Sequence, residues 1–512
     1  MIAYINARIP FSKQDAFIIK DGMFYEVGKK HKILNHSVSQ IIDLKHQTVL
    51  PGMHDSHLHV VGLGMQMQMV DATKHTSIAS FLEALKAEDT PVVMGRSFHE
   101  AQMRENRMIT RDDLDQAFKD RPVIVYRACG HMCTANSEAI KQANAIDGVP
   151  EASEDIDLKR GLFKEDGMQH VLKLRDVPTL DALKSMILTA QRDLLSKGVT
   201  SVGSDDFHVT KAPYERVIEA FKHLDESGSL KLNVFEQVNL PVLRTFDDFL
   251  KKGYARKQYG RYTMGPLKLL ADGSLGARSA FMKSSYHDAD TRGIALFDQP
   301  TLETFIRRAH AHDMDFAIHG IGDGIIERIL DAKEAIDTPG RRDSIIHAQL
   351  ADHDQIKRMQ TLNVGAQTQP IFLNSDIPII PERLGPRSNE TYLFNTMIKS
   401  GVTTTLSTDA PIEDTNPFEN MYVAITRQSI KHPSYPPFLK EEGMDVYRAL
   451  EAYTKTPAYF TYEEKQLGQI KKGHRADFLI VKGFDEENVE SLLNTTVRQT
   501  YIRGECVHEE DA

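Results

Sequence analysis

The 512-residue chain has no tryptophan and only three cysteines, Cys129, Cys133 and Cys506. Three cysteines in a chain this long do not build a disulfide framework, so a reducing compartment is expected. Cys129 and Cys133 flank His131, but no second ligand pair follows them, and small apolar residues near a strand end explain them better than a zinc site. Positive charge is also short: 62 Lys and Arg against 72 Asp and Glu give 62 − 72 = −10. Phosphate-rich partners need the opposite balance, so neither nucleic acid nor an anionic membrane is expected. No run approaches the ~18 apolar residues of a membrane span. Residues 1–8 lack a basic region ahead of a long apolar one, so no signal peptide is expected. A cytoplasmic soluble protein is therefore expected.

What is present is ordinary for a globular enzyme, with 41% apolar and 26% charged residues, and it is ordered along the chain. Residues 1–50 hold short β-like runs such as Ala16–Gly22 and Gln47–Leu50, and the last ~50 residues read alike, with Ala476–Val481 and Val497–Gly504. Residues 1–50 plus 456–512 are therefore expected to form one small β-sandwich domain built from both termini. Between them, apolar strand-like runs alternate with helical patterns. Leu183, Ile187, Ala190 and Leu194 precede the Val199 run, and Leu302, Phe305, Ile306 and Ala309 precede the Asp315 run. Repeated βα units with buried strands predict an α/β fold, a (β/α)8 TIM barrel over residues 51–455.

Six polar residues fall at the C-terminal ends of the expected strands, where such a barrel keeps its active site: His57, His59, Lys268, His319, His347 and Asp409. A barrel unit is ~31 residues. From His319 to His347 is 28 positions, one unit, and from His347 to Asp409 is 62, two units. From Lys268 to His319 is 51, one unit with a longer loop, and His59 to Lys268 is 209 where three units are expected. An inserted, lid-like region at about 60–180 accounts for the excess. Taken alone, each residue has a bland reading. His57 and His59 can be surface histidines, although two strand residues of alternate position face one cation equally well. Lys268, inside Gly265–Ala271, can be a lysine reaching for water. Buried, it is better off uncharged, and a neutral amine can take up carbon dioxide to give a carbamate with two metal-bridging oxygens. Asp409 can be a helix cap. One barrel spacing through all six explains them together.

The segment Pro51–His59 resembles the strand-one motif of the amidohydrolase superfamily. Lys268–Gly276, His319–Asp323, Ser407–Pro411, Gly130-His131 with Asn136, and Leu467–Asp477 resemble its amidohydrolase 3, or YtcJ-like, branch, which includes N-substituted formamide deformylase. The resemblance spans nearly the whole chain. It departs at Ile346, where the family usually has Glu, and at Gly95-Arg96-Ser97-Phe98, where it often has Gly-Arg-Gly-Trp.

That resemblance implies one or two divalent ions, zinc first. His57, His59 and Asp409 would bind one, His319 and His347 the other, and a carboxylated Lys268 would bridge them with a hydroxide. The hydroxide attacks an amide-type C–N substrate, with Asp409 as proton carrier and His131 helping to polarise the carbonyl. Asp55 is expected as a supporting neighbour, and Asn136 and Glu165 as substrate contacts or plain loop residues. Met65, Met67 and Met69 are expected to pack the core of the insertion. A cyclic amide or imide hydrolase and a barrel without catalysis are the competing readings. Relatives are often dimers, so a homodimer is expected.

Overall fold

A computed structural model describes residues 1–128, 132–150, 153, 155–336 and 338–510, apart from the side chains of 165 and 166. Eight parallel strands make the central sheet: β1 (Met53–Leu58), β2 (Val199–Ser204), β3 (Asn233–Asn239), β4 (Tyr262–Leu270), β5 (Phe316–Gly320), β6 (Ser344–His347), β7 (Gly365–Thr368) and β8 (Thr404–Leu406). Each pairs with its neighbour in chain order, from β1 to β8. Beyond the last ladder the ends of β8 and β1 are joined: the Asp409 N–H donates to His57 O at 2.9 Å and the His59 N–H to Ala410 O at 2.8 Å. Ser56 and Thr405 share a hydroxyl hydrogen bond of 2.7 Å on the same seam. The eight strands thus make a nearly closed barrel, the α/β fold expected. Every residue of β1 is buried, as strands covered on both faces require.

The helices between strands bury one stripe each. Leu183, Ile187, Ala190 and Leu194 lie on the buried face of the helix Leu180–Ser196, as do Leu302, Phe305, Ile306 and Ala309 on the helix Gln299–Ala311. Asp298 caps the second of these by accepting the Thr301 N–H, and Pro300 fits its first turn.

The chain divides into two compact units, one of Met1–Val61, Ala190–Val209 and Pro213–Ala512, the other of Gly62–Thr189 with Thr210–Ala212. The first holds the barrel and both termini. Thr48–Pro51 pairs antiparallel with Phe478–Lys482, and a second sheet holds Ile2–Ile5, Ala16–Lys20, Met23–Gly28 and Gln40–Asp43. One apolar cluster joins Tyr4, Phe17 and Phe24 to Phe478 and Tyr501. The Phe478 and Tyr501 rings stack at 4.3 Å. The N-terminal strand Thr48–Pro51 runs straight into β1 through Gly52, where a Cβ would stand 2.4 Å from Thr200 Oγ1. The second unit has its own six-stranded sheet and a core around Phe81, Leu85, Val93, Phe98 and Val125. Met65 and Met67 are only half-buried there. Among the described residues no helix is long and apolar enough to cross a membrane.

Candidate metal centre

The C-terminal ends of the strands gather the polar residues. One ligand atom from each of His57, His347 and Asp409 lies within 4.8 Å of the others, and all three residues are buried. The Asp409 Oδ1 is 3.2 Å from His57 Nε2 and 3.1 Å from His59 Nε2. The His347 ring lies 4.4 Å from that of His319 and 5.8 Å from that of His57. Lys268 Nζ sits 3.3 Å from His57 Nε2 and 3.6 Å from Asp205 Oδ2, with 1% of its side chain exposed. All six sequence-predicted ligands therefore meet at one end of the barrel.

The imidazole tautomers follow from the neighbours. The Gln237 amide nitrogen donates to Ser56 O and Gln367 Oε1, so its oxygen faces His57 Nδ1 at 2.6 Å. That nitrogen must carry the proton, and the Nε2 lone pair is left facing the cluster. Gln369 repeats the arrangement: its nitrogen donates to Gln367 O and Ser407 Oγ, and its oxygen accepts from His347 Nδ1 at 2.7 Å. His59 Nδ1 donates to the Asp205 carbonyl at 2.6 Å. His319 is turned the other way, with Nε2 3.1 Å from Gly273 O and 3.2 Å from Asp272 Oδ1, so its free lone pair is on Nδ1. Asp272 is anchored by the N–H groups of Phe281, Ile321 and Gly322.

The backbone is bent to aim these groups. His347, Ala348 and Asp409 have φ of 73°, 47° and 56°, the left-handed region that L residues enter at a cost of about 1–3 kcal/mol each. Asp55 holds the Asp409 turn by accepting the Thr408 hydroxyl at 2.6 Å and the Thr408 N–H at 3.1 Å.

Electrostatics agree with a cation site. Burial, then the nearby Lys268, pushes His57 down to about 4, and burial, then His319, holds His347 well below its ordinary value. Both imidazoles are neutral and able to ligate at pH 7. Burial lowers the Lys268 amine, against the pull of Asp205 and Asp409. Burial works against the Asp409 carboxylate, but His57 and His59 hold it well below the carboxylate range. His59 is pushed up to about 9: burial opposes its charge, and the carboxylates of Asp409 and Asp205 overcome that. The neutral imidazole nitrogens of His57 and His347 with one carboxylate oxygen fit zinc and its neighbours, and His59, charged beside Asp409, would have to release its proton to join them.

Residues 40–508 match the amidohydrolase family. The chain belongs to that family. The YtcJ protein of Bacillus subtilis (strain 168) is 28% identical over 97% of this chain and 96% of its own length. N-substituted formamide deformylase of Arthrobacter pascens is 24% identical over 96% of this chain and 95% of its own. An uncharacterized metal-dependent hydrolase from Pyrococcus furiosus, solved by crystallography, superposes with a TM-score of 0.81 at 30% identity, covering 95% of this chain and all of that one.

Within this amidohydrolase, His131 lies outside the described residues, as do Cys129 and the Glu165 side chain. Asn136 is fully buried and caps the helix Ser137–Asp147. Its oxygen accepts the Ala139 and Val123 N–H groups, and its nitrogen donates to Arg121 O, so its amide is committed to the insertion's own backbone. Sequence reading missed Gln237, Gln369, Asp205 and Asp272, which orient the ligands. Asp205, Asp272 and Gln369 stand just past the ends of buried strands and Gln237 within one, positions that mark no orienting role until the tertiary contacts are formed.

Proposed function

We propose that this amidohydrolase cleaves an amide-type carbon–nitrogen bond of a small molecule with one or two divalent ions, zinc first among them. The observation that carries this reading is the pair of glutamines, each taking an Nδ1–H so that the Nε2 lone pairs of His57 and His347 converge beside the Asp409 carboxylate. Lone pairs and a carboxylate facing one another in a buried site repel, and a cation removes the repulsion. His57, His59 and Asp409 would hold one ion, His319 and His347 a second. Lys268 would bridge them once its neutral nitrogen attacks carbon dioxide. The N–C bond forms, a C–O π bond opens, the nitrogen loses a proton to solvent, and the carbamate offers two oxygens.

Bound metal supplies Lewis acidity, lowering the pKa of water toward neutrality and polarising a carbonyl. The chain's own residues handle the proton. Asp409, held by the Thr408–Asp55 contact, takes it from the attacking water and delivers it to the leaving nitrogen. A carboxylate and an amine result. His131 would add a hydrogen bond to the developing oxyanion. Scarce cysteine supports a cytoplasmic location, and a homodimer completes the reading, checked by light scattering.

The test is a panel of open-chain and cyclic amides offered to metal-loaded enzyme, with amine release measured. N-substituted formamides belong in the first set because one relative is a deformylase of such compounds. Turnover of an open-chain amide is expected. Turnover confined to cyclic amides or imides moves the reading to that class, and an intact fold that binds no metal and hydrolyses nothing removes it.

A further inference from the structure

The opposite end of the barrel carries a second polar site that the hydrolytic reading does not use. A cavity lies where the first residues of β1 to β4 meet the C-terminal segments, lined by His54, Asn233, Arg261, Glu463, Arg475 and Arg503 among others. Three arginines thus line a space together with the Glu463 carboxylate, and Asp477 lies beside Arg475. Arg475 is 6% exposed, and its Nε and Nη2 have no hydrogen-bond partner. Its Nη1 donates to Glu463 Oε1 at 2.9 Å, while Nε is 3.5 Å from Asp477 Oδ2. Asp477 is itself engaged by the Arg503 N–H at 2.7 Å. His54, 4% exposed, also leaves Nδ1 without a partner. Arg503 is exposed and stands at the mouth.

Unpaired donors on a buried guanidinium are costly, so they call for an acceptor. The field is consistent with that need. Burial, then Arg503, then Arg475 pull the Arg261 guanidinium below its ordinary value, with Asp477 and Asp225 opposing. Burial, then Arg475, pushes His54 down to about 3. The three guanidinium groups crowd one another, although Glu463, Asp477 and Asp225 lie beside them.

Size narrows the ligand. About 340 Å³ is free of atoms up to the mouth, but only about 20 Å³ can hold the centre of a water-sized group. That is room for one compact ion and excludes a nucleotide or a peptide side chain. Forked guanidinium donors match tetrahedral oxyanions better than a spherical halide. We propose that this cavity is a binding site for a compact inorganic oxyanion of the phosphate or sulfate class, held by Arg475 with Arg261 and Arg503.

Such an ion would tie the C-terminal segments bearing Arg475 and Arg503 to the strands that feed the metal centre. His54 and His57 are three residues apart on β1, about 10 Å along the strand.

The experiment uses metal-loaded full-length enzyme in two arms. In the first, crystals are soaked in sodium selenate and anomalous density is collected at the selenium edge. A peak between Arg475 and Arg261 is expected. In the second, inorganic phosphate is titrated calorimetrically at constant ionic strength into wild type, Arg475→Gln and Arg503→Gln. A binding event weakened at least tenfold in both variants is expected. Arg503 is exposed, so its variant keeps the test informative if Arg475→Gln fails to fold. A cavity holding only water at selenate concentrations that occupy the metal centre overturns the proposal. So does phosphate affinity unchanged by Arg503→Gln.

Discussion

Strand β1 carries a histidine toward each end, and the two are treated in opposite ways. His57 is neutral, oriented by Gln237, and points a lone pair at a carboxylate and two other imidazoles. His54, three residues earlier, is as deeply buried, yet it faces guanidinium groups and has a ring nitrogen with no partner. Burial is the first cause that lowers both, and a nearby cation, Lys268 for His57 and Arg475 for His54, adds to it. The difference lies in what surrounds them: acceptors that fix a tautomer at one end, unpaired donors at the other. The C-terminal end of the barrel is built for a cation and the N-terminal end for an anion.

Six substitutions probe this contrast. The largest effect is expected from Asp409→Asn, which would remove the proposed proton carrier: kcat should fall by about 10²–10⁴-fold. Full activity with normal metal content would remove that role. Next come Gln237→Leu and Gln369→Leu, which release the His57 and His347 tautomers. Each should weaken metal binding by about 10–100-fold, measured by competition with a chromogenic chelator, while circular dichroism stays native. Third, Asn136→Ala should lower stability by about 1–3 kcal/mol through loss of a cap and its buried partners, read as a lower Tm. With KM unchanged, Asn136 is structural; a KM rise without a Tm change would make it a substrate contact. The smallest effect is expected from His54→Gln, which should leave metal content intact and kcat within a few-fold of wild type. His57→Gln, on the same strand, should lose both.

The barrel was legible because several of its strands are apolar runs alternating with helical patterns, and five of them carry near the C-terminal end a residue that apolar cores do not otherwise take. The motif Asp55–His59 and the spacing from His319 through His347 to Asp409 are local enough to read. The ligands' orienters were not legible. Gln237 and Gln369 lie on or just after β3 and β7, strands that carry no ligand, and they matter only because the barrel closes 180 residues of separation between Gln237 and His57. Asp272 was quoted as part of a motif, but its partner His319 lies 47 positions away in sequence (319 − 272) and 3.2 Å away in space. The anion cavity was equally hidden, since Arg261, Arg475 and Arg503 come from three separate segments. Tertiary neighbours set tautomers and fields, and one chain read in order does not reveal them.

If the imidazoles of His57 and His347 with the Asp409 carboxylate hold a catalytic metal, elemental analysis of purified enzyme joined to X-ray absorption at the metal edge will find it. One or two divalent ions per chain are expected, with imidazole nitrogen and carboxylate oxygen at about 2.0–2.2 Å if the metal is zinc, and their loss in a His57→Ala, His347→Ala double variant that remains folded. An active enzyme free of metal, or a metal content untouched by that double substitution, would contradict that assignment.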